Sequence, residues 1–406
     1  MSLTTTPLTP DVVLHEGNSM VLSMGPQHPS THGVLQLVLE IEGENVVNID
    51  PEIGYLHTGI EKTAENLFWS QAQTVVERMD YLAPESNALA YVLGVERLLG
   101  VTDRIPTRAQ QIRVLFAELT RIASHCVWLG THSLDIGAIS VFFYAFDLRE
   151  NILDLQEALG GARMHPNYLR VGGVNGDLPD GFLGGLDALI KKFPGRMREL
   201  RGLLQANPIF QDRTIGIARL PIDDALAWGV TGPSLRASGM AYDVRRAFPY
   251  CGYDGYDFDV PTREDGDAYA RFLVRLEEME QAHRIVVQAR ERLNEPGPVM
   301  IADTKIAAPP KETIALSMEA LIHHFKIVSE GFRVPPGDVY QSVESPRGEL
   351  GYYLVSDGGN RPYRVRTRPP SLYNLQAIKS IAPGNLIADL VVTIGSLDPV
   401  FGEVDR

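Results

Sequence analysis

The sequence predicts an α+β fold: a predominantly helical core, preceded by a small antiparallel sheet and followed by a β-containing region. Three observations predict it. Apolar and polar side chains alternate with a period of two between residues 20 and 50, apolar positions recur every three to four residues from 87 to 293, and the two-residue period returns near 339–365. With 406 residues the chain is long enough for two or three lobes, and 44% hydrophobic with 22% charged side chains is an ordinary globular composition. The expected division is a flexible arm at 1–16, a β lobe at 17–58, a helical core at 59–330 and an α+β region at 331–406.

Taken in order, the arm is rich in Thr and Pro and lacks the basic head and apolar centre of an export signal. Residues 20–24 and 34–42 then read as a hairpin with Leu35, Leu37, Leu39 and Ile41 on one face. A turn at 43–45 leads to a third strand at 46–50. Helix 87–99 closes on Gly100, and a second begins near Pro106 with Ile112, Leu115, Phe116, Leu119, Ile122 and Cys126 on a stripe wide enough for a bundle core. The helix at 142–159 opens with Phe142, Phe143, Tyr144 and Phe146, four rings expected to pack in the core rather than to form a stacking platform. Residues 182–204 read as a helix, and 207–259 as irregular chain dense in Gly, Pro and Tyr, with a folded connection at 231–244. The longest helix, 267–293, is stopped by Pro296, Gly297 and Pro298. A helix at 312–326 follows, then strands at 339–343, 351–355 and 363–365, the last two joined through Asp357, Gly358 and Gly359. A helix around 386–394 and a tail at 398–406 end the chain.

Charge and motifs exclude several functions. With 37 basic and 51 acidic residues the formal charge is −14, which argues against nucleic-acid binding and against adhesion to anionic lipid. Cys126 and Cys251 supply neither a disulfide framework nor a thiolate cage, so a reducing compartment is the simpler reading. Nowhere do about 18 apolar residues run together, which predicts a soluble or peripheral protein. Gly-x-Gly-x-x-Gly, Gly-x-x-x-x-Gly-Lys-[Ser/Thr], His-Glu-x-x-His and Cys-x-x-Cys are all missing, so nucleotide, hydrolytic-zinc and redox-thiol chemistry have no anchor.

Two stretches concentrate polar chemistry. Gly25-Pro-Gln-His-Pro-Ser-Thr-His-Gly33 loads a hairpin tip with His28 and His32, the side chain type that exchanges protons near neutrality. The plainer alternative is a turn in which Pro26 and Pro29 only fix the backbone and both histidines are solvated. The second stretch, 163–174, is rich in Arg, His and Asn and ends in a glycine pair that permits close backbone approach.

Together with Gly54-Tyr-Leu-His-Thr-Gly59, Arg78-Met-Asp-Tyr81, Arg163-Met-His165, Glu344-Ser-Pro-Arg-Gly-Glu349 and Ser396-Leu-Asp-Pro399, the histidine loop resembles one family from about residue 17 to the end. That family is the D subunit of proton-pumping NADH:quinone oxidoreductase, respiratory complex I. It is itself similar to the large subunit of nickel-iron hydrogenases, which implies a hydrogenase large-subunit-like fold. Where those hydrogenases carry Arg-x-Cys-x-x-Cys and Asp-Pro-Cys-x-x-Cys, this chain reads Arg78-Met-Asp80-Tyr-Leu-Ala83 and Asp398-Pro-Val400-Phe-Gly-Glu403. All four thiolate positions are lost, and soft sulfur is what a nickel-iron centre needs.

The resemblance implies that the cavity takes a quinone headgroup as substrate between His32 and Tyr81, with Asp135 hydrogen-bonded to the histidine. Proton donors at that place suit a ring whose oxygens gain charge on reduction. It further implies that Arg78 and His165 sit beside a tetranuclear iron-sulfur cluster of the neighbouring B subunit, and that His28, with His57, Gln27 and Thr31, lines or supports the pocket. This chain would bind no metal and no nucleotide. FMN and the iron-sulfur clusters would belong to partner subunits that carry electrons from NADH to quinone, coupled to proton translocation. The implied partners are the B, C and I subunits and the hydrophobic H subunit of the membrane. The C subunit would be a separate chain, since residues 1–16 are too short for a C domain. The implied location is peripheral, on the cytoplasmic side of the cell inner membrane, with indirect contact to the bilayer. Two other readings stay open: the same subunit in a quinone oxidoreductase fed by ferredoxin or another carrier, and a non-catalytic assembly scaffold.

Overall fold

The computed structural model of this protein describes residues 13–14 and 19–406. Its first sheet has the order β1 (Val13–Leu14), β2 (Ser19–Met24), β3 (Gln36–Glu42) and β4 (Asn45–Glu52), all antiparallel. The β2–β3 register places Leu22 opposite Leu39 and Met24 opposite Leu37, so the alternation that predicts the hairpin also decides which face is buried. Leu35, Leu37 and Leu39 are fully buried. One expectation is corrected here: Val13 and Leu14, assigned to the flexible arm, pair with Val21 and Met20 as a strand. The rest of the arm lies outside the described residues.

Two short helices that periodicity does not announce, α1 (Ile60–Asn66) and α2 (Trp69–Val76), precede α3 (Pro84–Leu99), which starts on a proline and ends on Gly100 at φ 67°. The central element is α4 (Thr107–Asp135), against which α3, α5 (Ile139–Gly160) and α11 (Ala268–Arg292) pack. Covered on most sides, α4 buries polar residues as well as its apolar stripe, and its buried arginines find internal partners. Arg113 meets Glu96 of α3 at 2.6 Å, and Arg121 meets Glu118 at 3.1 Å. A short β5 (Leu169–Arg170) and β6 (Gly173–Val174) hairpin separates α5 from α6 (Phe182–Leu204).

Between α6 and α11 the irregular stretch folds into single turns: α7 (Pro208–Asp212), α8 (Ile222–Ala227), α9 (Pro233–Arg236) and α10 (Val244–Ala247). Asp267 caps α11 by accepting from the Ala270 N–H at 2.7 Å. The single helix expected at 312–326 is two, α12 (Lys311–Ile314) and α13 (Met318–Glu330), because the Ser317 side chain accepts from the Ala320 N–H at 3.3 Å and starts a new helix. A second correction concerns the aromatic opening of α5. Val141, Ala145 and Leu148 take the inward face, which leaves Phe143 at 64% and Tyr144 at 41% exposure. Those rings are therefore surface, not core.

The last region holds the antiparallel sheet β7 (Gly337–Ser345), β8 (Gly348–Ser356) and β9 (Arg364–Arg368), with α3 packed on β7 and β8. It continues through α14 (Pro370–Gln376), α15 (Ile378–Ile381), α16 (Ile387–Leu397) and α17 (Phe401–Asp405). The tail is thus a buried helix. Leu375, Ile378, Leu390, Ile394, Phe401 and Val404 share one apolar cluster with Leu35 to Ile49 of the first sheet. The beginning and the end of the chain are one core. Among the described residues no helix is long and apolar enough to cross a membrane.

Candidate functional site

The hairpin tip between β2 and β3 is held by its own side chains. Thr31, fully buried, donates its hydroxyl to the carbonyls of Pro26 (3.2 Å) and His28 (3.0 Å), and His28 Nδ1 accepts from the Ser30 N–H at 3.2 Å. Gly25, at φ 98°, has no room for a Cβ against the Leu35 carbonyl. This turn leaves His32 in the left-handed region at φ 54°, its N–H donating to the Pro29 carbonyl at 3.3 Å and its ring 5.8 Å from that of Phe401 in α17. The tip therefore folds back onto the chain's last helix. His28 stays exposed and caps the tip, and Gln27 beside it is exposed. His57 lies apart from it, with Nδ1 donating to the Asp405 carbonyl at 2.7 Å.

The two frames, 78–83 and 398–403, meet backbone to backbone. A Cβ on Gly402 would lie 2.6 Å from the Met79 carbonyl oxygen and 3.4 Å from that of Arg78, a closeness only glycine permits. Between the frames lies Arg347 from the β7–β8 turn. It pairs with Asp80 at 2.8 Å and with Asp398 at 3.5 Å, and its Nε donates to the Asp398 carbonyl at 3.3 Å. Asp80 accepts in addition from the N–H groups of Leu82 (3.1 Å) and Ala83 (3.0 Å), which fixes the turn that carries Tyr81. Tyr81 itself is 37% exposed.

The charge of Asp398 acts on both the histidine and the tyrosine. Burial lowers the pKa of His32 below that of a free imidazole, and the Asp398 charge pulls it back up. Burial raises the Tyr81 phenol, and Asp80 and Asp398 push in the same direction while Arg347 opposes them. At neutral pH this leaves a largely neutral imidazole and a protonated phenol, both under the charge of Asp398. The combination can donate hydrogen bonds to an oxygen that gains electron density, and the phenol carries a transferable proton.

A second grouping forms one turn earlier. His165, at φ 54° and half-buried, has its pKa lowered by burial and by the Arg78 guanidinium, while Asp80 opposes. Arg78 is exposed and donates to the Thr74 carbonyl of α2. The charges of Arg78 and Asp80 thus both act on His165. Behind them Glu77 is pushed up to about 7, with burial as the main cause.

Asp135 ends α4. Burial pushes its pKa up to about 6, and among the described hydrogen bonds none joins it to His32. The carboxylate that acts on His32 is Asp398. Instead Asp135 lies beside α16, with Oδ2 3.5 Å from where a Gly395 Cβ would stand. Its neighbour His132, stacked on Trp128 at 5.3 Å, is fully enclosed and held neutral by burial and by Arg275 and Arg271.

Sequence reasoning does not single out Arg347, Asp398 and Glu403 as functional side chains. The signal is present all the same: Arg347 sits inside the quoted 344–349 motif, and Asp398 and Glu403 bound the second degenerate frame. Reading that frame as a place where ligands are lost hides the charged groups it holds.

Known proteins resemble this chain over nearly all its length. Residues 135–406 match the family described as the respiratory-chain NADH dehydrogenase 49 Kd subunit. The NADH-quinone oxidoreductase D subunit of Citrifermentans bemidjiense is 55% identical over 387 residues, covering 95% of this chain and 99% of the relative. The second such D subunit of Chloroflexus aurantiacus is 55% identical over 390 residues (96% and 94% of the two chains), and the first of Roseiflexus castenholzii is 56% identical over 390 (96% and 93%). The chain therefore belongs to the family of NADH-quinone oxidoreductase D subunits and is part of the enzyme complex known as respiratory complex I.

Proposed function

We propose that the His32–Tyr81–Asp398 face is the headgroup site for a quinone and that this subunit shapes the last electron transfer of the complex. The observation that carries the reading is that the hairpin tip, with the His32 ring 5.8 Å from that of Phe401, and the 78–83 turn, packed on Gly402, both meet α17, where the charge of Asp398 acts on the imidazole and on the phenol. A two-electron reduction builds negative charge on the quinone oxygens. A phenol with a raised pKa keeps its proton until that charge appears and then gives it up, which is the behaviour of a general acid matched to its substrate. In this reading Asp135, with its carboxyl pushed up to about 6, would be a further group that responds to charge on the ring.

Electrons would reach the site from an iron-sulfur cluster of the B subunit, itself supplied from NADH through FMN in other subunits. Arg78, exposed, and His165, on which its charge acts, suit that contact: a fixed positive charge favours the reduced cluster, and a histidine beside it can take up a proton. With no spanning helix among its described residues, the chain would meet the membrane through the H subunit, on the cytoplasmic face, with the C and I subunits as further neighbours.

Tyr81→Phe is the test. The ring stays and the proton goes, so in the assembled complex quinone reduction is expected to fall about 100-fold, within the range for loss of a general acid. Electron delivery from NADH to an artificial acceptor and the content of assembled complex should not change. An unaltered quinone reductase rate would leave the subunit a scaffold.

A further inference from the structure

Helix α13 turns its more apolar face away from the chain. With about 100° of turn per residue, Ala320, His323, His324 and Ile327 share one face, and all four are half-buried, so this is the side on which the helix rests. The opposite face carries Met318, Leu321, Ile322, Phe325 and Val328, which together with Leu316 just before the helix are 49% to 88% exposed. No residue of α13 is buried, whereas every other described helix of eight residues or more buries part of itself. Single apolar side chains on a surface need no explanation, but six large ones on one helix and its lead-in do. A helix of 13 residues is also marginal in water unless an apolar face is packed.

Lipid is a poor occupant for this face. Lys326 is the one Lys or Arg of α13, beside Glu319 and Glu330, and a helix that lies on a membrane surface is rich in cations on its polar side. The place of the helix names a better one. Gly331, which ends α13, packs on Phe68, where an added Cβ would stand 3.2 Å from the Phe68 Cβ, and Asn360 Nδ2 donates to the Glu330 carbonyl at 2.6 Å. Phe68 starts α2 and shares one face of it with Gln71, Val75 and Arg78, at steps of three and four. The Arg78 guanidinium folds back along this face to the Thr74 carbonyl, which leaves only about 9 Å of helix between it and Phe68. An interface of standard size covers about 800 Å² of each partner, a patch about 30 Å across. A partner seated on Arg78 therefore reaches Phe68 and the end of α13. Arg361, with its guanidinium 5.3 Å from the centre of the Phe68 ring, is exposed like Arg78, and neither has a carboxylate partner among the described ion pairs. Both ask for acidic side chains on whatever covers them.

We propose that the outward face of α13 is a docking surface for the iron-sulfur subunit that Arg78 and His165 face, the B subunit, and that this partner meets it with an apolar groove rimmed by acidic side chains opposite Arg361. The proposal rests on the reading of Arg78 and His165 as the contact with that subunit, and not on the quinone at Tyr81. Two supports, one at each end of α2, fix the orientation of the partner in a way that a single contact at Arg78 does not.

The experiment is photo-cross-linking in the assembled complex, with benzoylphenylalanine replacing Phe325 or, in a second preparation, Gln71, and the joined peptides identified by mass spectrometry. Both positions are exposed, so neither replacement disturbs a core. The expected result is the B subunit joined at both. Another subunit, a second copy of this chain, lipid or no product at 325 overturns the proposal. Position 71 tells the two readings apart: if it joins the B subunit while 325 does not, the α13 surface falls alone, and if neither joins it, the reading of Arg78 and His165 falls too. Phe325→Glu places a charge in the contact and should lower the B subunit recovered with this chain about tenfold or more, while Phe325→Leu keeps it. Unchanged recovery with Phe325→Glu overturns the proposal. Should that variant fail to accumulate, the product at 325 decides, since that replacement adds no charge. Tyr81→Phe stands apart from all of these, because its effect on quinone reduction leaves the cross-links as they are.

Discussion

At Gly402 a hydrogen is the largest substituent the site admits. The Met79 carbonyl that an added Cβ would meet at 2.6 Å belongs to the backbone, so no rotation relieves the clash and the 78–83 turn must move. Gly402→Ala is expected to cost about 1–3 kcal/mol, read as a lower unfolding midpoint of the purified chain. It should also reduce quinone turnover by up to about 100-fold, because a displacement near 1 Å between Tyr81 and Asp398 is enough to spoil a proton donor's aim. His32 and Tyr81 are legible in the sequence because each stands in a motif of recognisable spacing. Arg347 is not, since its meaning lies in an ion pair with Asp80 that only the tertiary fold creates. Asp135 marks the opposite limit: it stands beside α16, and the charge that acts on His32 comes from Asp398.

Helix α6 shows how one element corrects another. Pro194 lies inside it and has no N–H, so the Ile190 carbonyl lacks its helical donor. His283 of α11 supplies the missing bond, Nε2 to oxygen at 3.1 Å, and stacks on Phe193 with ring centres 4.4 Å apart. His283→Ala should leave that carbonyl unsatisfied and the stack empty, lowering stability by about 1–3 kcal/mol in a urea titration, while the quinone site on the far elements keeps its rate. Periodicity makes α6 and α11 legible almost to the residue. It does not say which faces are covered. The rings of Phe143 and Tyr144 obey the helical repeat of α5 and still point outward, because α4 and α6 occupy only one side of that helix. The break at Ser317 escapes for a different reason: a cap competes with continuation, and the apolar repeat on both sides of it is the same.

Across the whole molecule the α+β class and the order of its parts follow from the two periodicities. The joining of first sheet and last helices does not, because no local pattern encodes a contact between residues some 350 positions apart. That joint is both apolar and polar. Phe401 and Val404 bury themselves under β3 and β4, and the Asp405 carboxylate accepts from the N–H groups of Gly54 (2.9 Å) and Leu56 (2.7 Å). Removing residues 401–406 should therefore leave most of the helical signal in circular dichroism but make the 25–33 tip a site of rapid proteolytic cleavage. Resistance of the tip in the shortened chain would show that β2 to β4 stand without α17.

The same joint sets an order of events during synthesis. The histidine loop leaves the ribosome long before Phe401, whose ring backs His32. A nascent subunit thus carries that loop unbacked until Phe401 has been added, and a product truncated ahead of Phe401 leaves His32 without its aromatic neighbour.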